Sequence, residues 1–306
     1  MTQNKRSKSF ISDAMLIVVA IIWGSGFIAT KLAIDSNMSS SLIMVLRFMI
    51  ATLVLTVFFF KKVPGIKADD LKKGAIAGTL LFMAFFAQTL GLEFTTPSNN
   101  AFLTSTNVIM VPFITWAIFR KRPPTQMFFS AALSLVGISF LTFSFSSGFT
   151  FNIGDILTLL CALLFAGHIS YLSYCVNHMD TARLTLLQMA TAAVLSLLAF
   201  IFFDLKSLSS ANFGTGLAPV LYLGLFSTCL AFFMQTSAQK NTSSTKAAVI
   251  LSTEALFGSV FSVILGFEKL TINMVAGGVL LLVAVLLTEL KPAKKSTAPR
   301  ESERPE

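Results

Sequence analysis

The sequence predicts an all-α integral membrane protein with about ten transmembrane helices, arranged as two inverted five-helix repeats. Three observations predict this class: ten apolar stretches of membrane-spanning length, basic residues concentrated in every second gap between them, and an internal repeat with an odd number of spans. Of the 306 residues, 55% are hydrophobic and 12% are charged, whereas soluble domains carry ~25% charged residues. The connecting segments are too short to hold a soluble catalytic domain.

Each apolar stretch has the length that a helix needs to cross a bilayer. A hydrocarbon core of roughly 30 Å takes ~20 residues at a rise of 1.5 Å per residue. We predict spans at approximately 13–33, 41–60, 71–92, 99–119, 126–145, 154–175, 183–203, 216–238, 245–266 and 271–290. The remainder is a predicted cytoplasmic N-terminal segment, 1–12, and a polar C-terminal tail, 291–306, whose composition predicts a disordered cytoplasmic tail.

The basic residues predict the orientation of the chain. Lysine and arginine outnumber aspartate and glutamate by 23 to 14, and most of them fall in alternate gaps, such as Arg120-Lys121-Arg122 after the fourth span. Cytoplasmic loops carry such an excess of basic residues. We therefore predict a multi-pass protein of the plasma membrane, the inner membrane in a bacterium, with both termini in the cytoplasm. This distribution explains the positive charge without a nucleic-acid partner.

Two halves of the chain repeat each other. Residues 85–89 return as 232–236, and Ser105-Thr106-Asn107 returns as Ser252-Thr253-Glu254, both 147 residues later. Asp13 in the first span corresponds to Asp155 in the sixth, 142 residues later. We predict a first repeat at 13–146 and a second at 153–290. Five spans per repeat place the second copy upside down, and inverted repeats around a central site are a recurrent architecture of secondary transporters.

Several short motifs recur in the order and spacing of a known family. They are Trp23-Gly24-Ser25-x-Phe27, Leu46-Arg47-Phe48, Ala101-x-Leu103 with Pro112 in the same span, and Glu254 with Gly266-Phe267-Glu268 after it. With these motifs the chain resembles the drug/metabolite transporter superfamily, specifically its EamA-type members. The resemblance implies a proton- or gradient-coupled exporter or exchanger of small metabolites such as amino acids, with a central cavity lined by both repeats. One departure is that Ala255 follows Glu254 where family members often have proline. Whether the helix kinks at this position is therefore an open question.

Glu254 is the first candidate for transport chemistry. A charged group inside a bilayer costs a few kcal/mol and needs a polar partner or an aqueous cavity. Glu254 lies ~13 Å into its predicted span at helical rise, and its repeat counterpart is the neutral Asn107. Desolvation favours the protonated acid, so Glu254 can bind and release a proton during transport. A permanent polar contact that fixes helix packing is an equally open interpretation.

Three more polar residues are candidates for a substrate site. Arg47 can bind a substrate carboxylate, although an anchor for neighbouring helix ends, or a side chain that extends to the interface, is the simpler interpretation. Gln88 and Gln235 occupy equivalent positions in the two repeats. Their amides donate and accept hydrogen bonds, which suits a zwitterionic ligand. The alternative is that they tie neighbouring helices together.

Four aromatic or polar residues complete the candidate set. His168 and Tyr171 lie at helical spacing in one span, so they can relay a proton or contact a ligand, or they can be packing groups. Trp23 and Asn107 are further candidates for the cavity wall. No catalytic residue is expected among them.

Other functional classes fit the sequence less well. Cys161, Cys175 and Cys229 lie in predicted spans without a CxxC pair, so no metal site or disulfide is expected. The sequence has no GxxxxGK[ST] loop, so we expect no ATP-binding module and no cofactor. The main alternative is an integral-membrane enzyme or a lipid-carrier-handling protein, which would typically need clustered carboxylates where this chain has scattered ones. A channel would need a charged ring or a carbonyl filter.

The expected partners are a small-molecule substrate and the lipid bilayer. Gly74-x-x-x-Gly78 in the third span allows close helix approach. That contact can lie within the chain or in a homodimer.

Overall fold

A computed structural model describes residues 2–95, 97–142, 152–266 and 269–289. Within these ranges the chain forms helices and short turns, with no strand. The C-terminal tail, most of the junction between the two repeats and Phe267-Glu268 lie outside the described residues.

Thirteen α-helices account for most of the described chain. They are α1 (Thr2–Asp35), α2 (Ser40–Phe58), α3 (Ala68–Leu92), α4 (Pro97–Ser105), α5 (Asn107–Phe119), α6 (Thr125–Thr142), α7 (Ile153–Cys175), α8 (Thr181–Ala199), α9 (Phe213–Tyr222), α10 (Ala231–Gln239), α11 (Ser244–Leu251), α12 (Glu254–Ile264) and α13 (Ile272–Glu289). A 3-10 turn, Phe60–Gly65, follows α2, a π-helical turn, Phe200–Asp204, extends α8, and another, Leu223–Leu230, joins α9 to α10.

The predicted fold class is confirmed. Eight helical segments among the described residues are long and apolar enough to cross a membrane, and two shorter apolar helices, Thr125–Phe140 and Ile272–Thr288, bring the number to ten. Three of the eight are built from two consecutive helices each: α4 with α5, α9 with α10, and α11 with α12. The first helix begins at Thr2, earlier than the predicted span, because no glycine or proline interrupts the polar segment before Asp13.

Polar caps allow the helices to reverse over short loops. Ser39 caps α2, Asp180 caps α8 and Ser243 caps α11, each accepting hydrogen bonds from backbone N–H groups of the first turn. Asn152 and Asp155 form a reciprocal capping box at the start of α7. These side chains satisfy donors that have no partner within the helix.

The antiparallel spans give the bundle two polar faces. We call the face at which α1 enters the bundle, near Asp13, the N-terminal face, and the other the opposite face. Three ion pairs join the two halves at the N-terminal face: Lys246–Asp13 at 2.8 Å, Lys62–Asp180 at 2.7 Å and Arg183–Asp70 at 3.8 Å. At the opposite face the hydroxyls of Ser40 and Ser41 donate to Glu93 and Asp204.

The two halves are intertwined. The first helix of each half packs on the fourth span of the other: α1 on α11 and α12, and α7 on α4 and α5. Gly24 and Gly258 bring α1 and α12 into backbone contact, since a Cβ on Gly24 would lie 2.7 Å from the Gly258 nitrogen and 2.8 Å from the Glu254 carbonyl oxygen. The helices that surround the centre of the bundle therefore come from both halves.

The predicted close approach at Gly74 and Gly78 occurs within the chain. A Cβ on Gly74 would lie 2.3 Å from Leu187 Cβ, and one on Gly78 would lie 2.5 Å from the Gln188 carbonyl oxygen. Both glycines thus seat α3 against α8. A homodimer is not needed to explain this motif and stays a prediction.

Candidate functional site

The fourth and ninth spans are interrupted at equivalent positions. Helix α4 gives way to α5 at Thr106, and α11 gives way to α12 at Ser252 and Thr253. The hydroxyls of Thr106 and Thr253, 147 residues apart, each donate to the carbonyl three residues earlier, both at 2.6 Å. Local hydroxyl bonds of this kind compete with the helix. The ninth span therefore breaks beside Glu254 even though residue 255 is alanine and not proline.

A cavity lies beside these two breaks. Six of the eight side chains selected from the sequence line it: Trp23, Arg47, Gln88, Asn107, Gln235 and Glu254. Its walls come from both halves of the chain and are largely buried. The cavity has a volume of about 40 Å³, which is room for about three ordered waters at ~10–15 Å³ each. A metabolite therefore needs the surrounding helices or side chains to move apart.

Arg47 brings a buried positive charge to the cavity. Only 1% of the residue is exposed, so the other helices of the bundle enclose it. Its Nε donates to Thr228 Oγ1 at 2.9 Å and its Nη2 to Ser227 Oγ at 3.5 Å, while the guanidinium lies 4.2 Å from the centre of the Phe85 ring. No described carboxylate lies within 4.0 Å of it. The charge is held by hydroxyls and an aromatic face, which leaves it able to attract an anion.

The π-helical turn Leu223–Leu230 places the partners of Arg47. Such turns are frequent at functional sites because they shift side chains and backbone groups out of the regular register. Here the turn directs Ser227 and Thr228 to Arg47, and the Ser227 carbonyl oxygen accepts a hydrogen bond from Trp23 Nε1 at 2.9 Å. Gly26 gives Ser227 room, since a Cβ there would lie 3.0 Å from the Ser227 hydroxyl.

Sequence reasoning missed Ser227 and Thr228. A pair of hydroxyl residues in an apolar span was the only available signal, and many such pairs merely bond the preceding helical turn. The π-helical turn that aims this pair at Arg47 has no recognisable residue pattern.

Asn107 and Glu254 lie just after the breaks in the fourth and ninth spans, respectively. Glu254 is the first residue of α12 and Asn107 the first of α5, and both are buried. The Ser105 hydroxyl lies 3.5 Å from Glu254 Oε1. Among the described residues no cation pairs with Glu254. A carboxylate at a helix N-terminus is stabilised by the helix dipole, so Glu254 can carry charge here without being locked into a salt bridge.

The two equivalent glutamines differ in their contacts. Gln88 Nε2 donates to Thr104 Oγ1 at 3.1 Å, which ties α3 to α4. Gln235 is fully buried, yet neither its Oε1 nor its Nε2 has a hydrogen-bond partner among the described residues. Unsatisfied buried amides are costly. Because Gln235 lines the cavity, a bound ligand or water can satisfy it.

His168 and Tyr171 lie away from the cavity. His168 is fully buried, with Nε2 2.9 Å from Gln188 Oε1, and its ring packs edge-on against Phe232 at 6.0 Å. Phe232 in turn contacts Trp23 at 5.0 Å, so an aromatic ring adjoins both the histidine and the cavity wall. Tyr171 stacks on Tyr174 near the end of α7. These contacts fit packing groups.

Comparison with known proteins points to one family. The model of the EamA-like transporter family matches the chain twice, over residues 10–143 and 152–290. An uncharacterized transporter of Archaeoglobus fulgidus is 36% identical over 285 residues, which covers 93% of this chain and 87% of that protein. The uncharacterized inner membrane transporter YicL of Salmonella typhimurium is 24% identical, covering 92% of this chain and 96% of YicL.

A solved crystal structure has the same fold. It superposes with a TM-score of 0.78 at 16% sequence identity, and the match covers 94% of this chain and 98% of the other. At this identity the likeness extends to the fold alone.

Proposed function

The chain belongs to the EamA-like transporter family and is a multi-pass membrane transporter, and we propose that it exports or exchanges small metabolites such as amino acids by alternating access. The observation that carries this proposal is the central cavity, where Arg47, Glu254 and Gln235 meet without pairing with one another. The substrate is moved and not chemically changed, so no catalytic residue is required.

The cavity suits a zwitterion. Arg47 offers a positive charge to a carboxylate, Glu254 offers a negative charge to an ammonium group, and Gln235 can donate to the first or accept from the second. Charged hydrogen bonds of this kind are about twice as strong as neutral ones. The aromatic rings of Trp23 and Phe85, which also line the cavity, can contact an apolar side chain of the substrate.

Alternating access is supported by the symmetry of the two halves. The family model matches the chain twice, at 10–143 and 152–290, which supports the proposed repeats at 13–146 and 153–290. Both halves also break their fourth span at equivalent residues. Exchanging the conformations of two such inverted halves opens a central site first to one face and then to the other. The energy for metabolite movement then comes from a gradient or from exchange for a counter-substrate.

Glu254 is the proposed coupling group. Its position in the cavity wall, its lack of a described ion-pair partner and its neutral counterpart Asn107 suit a carboxyl group that binds a proton in one state and a substrate ammonium group in the other. Competition between proton and substrate for one carboxylate makes transport an exchange of the two.

We place the protein in the plasma membrane with both termini in the cytoplasm, so that the N-terminal face is the cytoplasmic one. The basic residues of alternate loops support this orientation, and the relative YicL is an inner membrane transporter.

Flux measurements test this function. Purified protein is reconstituted in liposomes loaded with a metabolite mixture of zwitterions, organic anions and amines, and mass spectrometry follows what leaves the vesicles under an imposed pH gradient. We expect protein-dependent loss of zwitterions, abolished by Arg47→Met and, in Glu254→Gln, no longer accelerated by the pH gradient. Loss that is equal in protein-free vesicles, or that persists unchanged in both variants, would overturn the proposal.

A further inference from the structure

A buried clamp joins the two halves at the N-terminal face. Lys246 Nζ donates to Asp13 Oδ2 at 2.8 Å, and Thr242 Oγ1 donates to Asp13 Oδ1 at 3.4 Å. The side chains of the ion pair are only 11% and 13% exposed, so water and salt screen it little. The clamp fixes the start of the first span to the start of the ninth span.

A second clamp joins the halves at the opposite face. Asn99 Nδ2 donates to Asp155 Oδ1 at 2.5 Å, and Thr95 Oγ1 donates to the same oxygen at 3.2 Å. Asp155 is 1% exposed, and its other oxygen accepts from the Asn152 backbone N–H at 2.9 Å. This clamp fixes the start of the sixth span to the start of the fourth.

The two clamps are formed by equivalent residues of the two repeats. Thr95 and Asn99 precede Thr242 and Lys246 by 147 residues, and Asp13 precedes Asp155 by 142 residues. These are the two offsets that relate the repeats. Each clamp thus joins the first span of one half to the fourth span of the other, and inversion places the copies at opposite ends of the helices that border the cavity.

We propose that these two clamps are the alternating gates: each must break for the cavity to open at its own face, while the other stays closed. The inference rests on the proposed alternating access. Both clamps are closed in this structure, which agrees with its small and largely buried cavity.

The side chain that the fourth span of each half donates to the aspartate differs between the clamps, and this difference sets a preference. Lys246 makes the first an ion pair, whereas Asn99 makes the second a hydrogen bond from a neutral amide. A hydrogen bond between two charged groups is stronger than one with a neutral donor. The gate at the N-terminal face is therefore harder to open, and the empty transporter spends more time open to the opposite face.

Exchanging the clamps tests the proposal. The variant K246N/N99K keeps the composition and net charge but moves the ion pair to the opposite face. Single reporter cysteines replace Thr30, on the half of α1 near the opposite face, or Ile169, on the half of α7 near the N-terminal face, both of which line the cavity. The three native cysteines are replaced by alanine, and intact cells and inverted vesicles are labelled with an impermeant maleimide.

In the parent protein we expect the Thr30 reporter to react faster than the Ile169 reporter. The exchange should reverse this order, with a change in the ratio of about tenfold, the effect of ~1.4 kcal/mol. Thr242→Val, which removes one hydrogen bond and risks little for folding, should raise the Ile169 reactivity by a smaller factor. Lys240→Asn, a basic residue exposed at the same face, is the matched control and should leave the ratio unchanged.

The two proposals fail in different ways. Labelling needs no substrate, so reciprocal labelling without any metabolite flux counts against the proposed function alone. The gate proposal is overturned if metabolite flux proceeds while the ratio of the two labelling rates keeps its parent value in the exchanged and Thr242→Val proteins. It is also overturned if the labelling rates of both reporters rise together.

Discussion

Replacing Arg47 by methionine separates an anion-binding role from a structural one. The change removes hydrogen bonds of 2.9 Å to Thr228 and 3.5 Å to Ser227 and the contact with the Phe85 ring. Each hydrogen bond to a charged group contributes ~1.5–3 kcal/mol and the ring contact up to ~2 kcal/mol. Removing a buried cation also recovers several kcal/mol of desolvation.

These contributions oppose each other, so we expect the unfolding free energy of Arg47→Met to stay within about 2 kcal/mol of the parent value. Substrate affinity should respond differently. Losing one partner of a buried charged contact costs ~2–5 kcal/mol, which raises Kd by about 30-fold to several thousand-fold at 1.4 kcal/mol per factor of ten.

The assay is calorimetric titration of the purified protein with the transported metabolite and with its carboxamide, alongside thermal unfolding in detergent. The parent protein should prefer the carboxylate strongly, and Arg47→Met should bind both ligands weakly and about equally. An anchoring role predicts the reverse: a large loss of thermal stability with the preference for the carboxylate retained. That result would refute the anion site.

Three further predictions follow from the same contacts. Glu254→Gln keeps the size and hydrogen bonding of the side chain but cannot titrate, so uphill flux driven by a pH gradient should be lost while downhill exchange persists; unchanged uphill flux would assign Glu254 to packing. Gly24→Ala should lower the unfolding free energy by ~1–3 kcal/mol through its clash with α12, whereas Gly167→Ala, whose nearest neighbour would be 4.0 Å away, should not. A cysteine at Lys206 should react with impermeant reagents in intact cells and one at Asp180 should not, and the opposite result would invert the orientation.

Much of the fold is readable from the sequence because bilayer thickness fixes the length of each apolar stretch. The ten spans and the equivalence of Asn107 and Glu254 follow from hydropathy and from one constant offset. The break beside Glu254 is less predictable, since it depends on the hydroxyl of Thr253 and not on proline. The extension of α1 back to Thr2 was missed because hydropathy marks the membrane boundary and not the end of a helix.

The candidate site is only partly readable. Polar residues within apolar spans stand out, and six of the eight selected ones line one cavity. His168 is also a polar residue within an apolar span, yet its Nε2 is hydrogen-bonded to Gln188 and its side chain does not line the cavity. Which face of a helix points inward depends on packing across the two halves, and Ser227 and Thr228 reach Arg47 only through a π-helical turn.

Substrate counterflow tests the central claim most directly, because only a carrier that exposes one site to each face in turn exchanges label without net movement. Vesicles containing the protein are loaded with a high concentration of unlabelled substrate and diluted into a trace of labelled substrate. The proposed mechanism predicts transient accumulation of label above its external concentration, absent in Arg47→Met. Label that only equilibrates across the membrane, or that accumulates equally in Arg47→Met, would contradict a carrier mechanism built on this cavity.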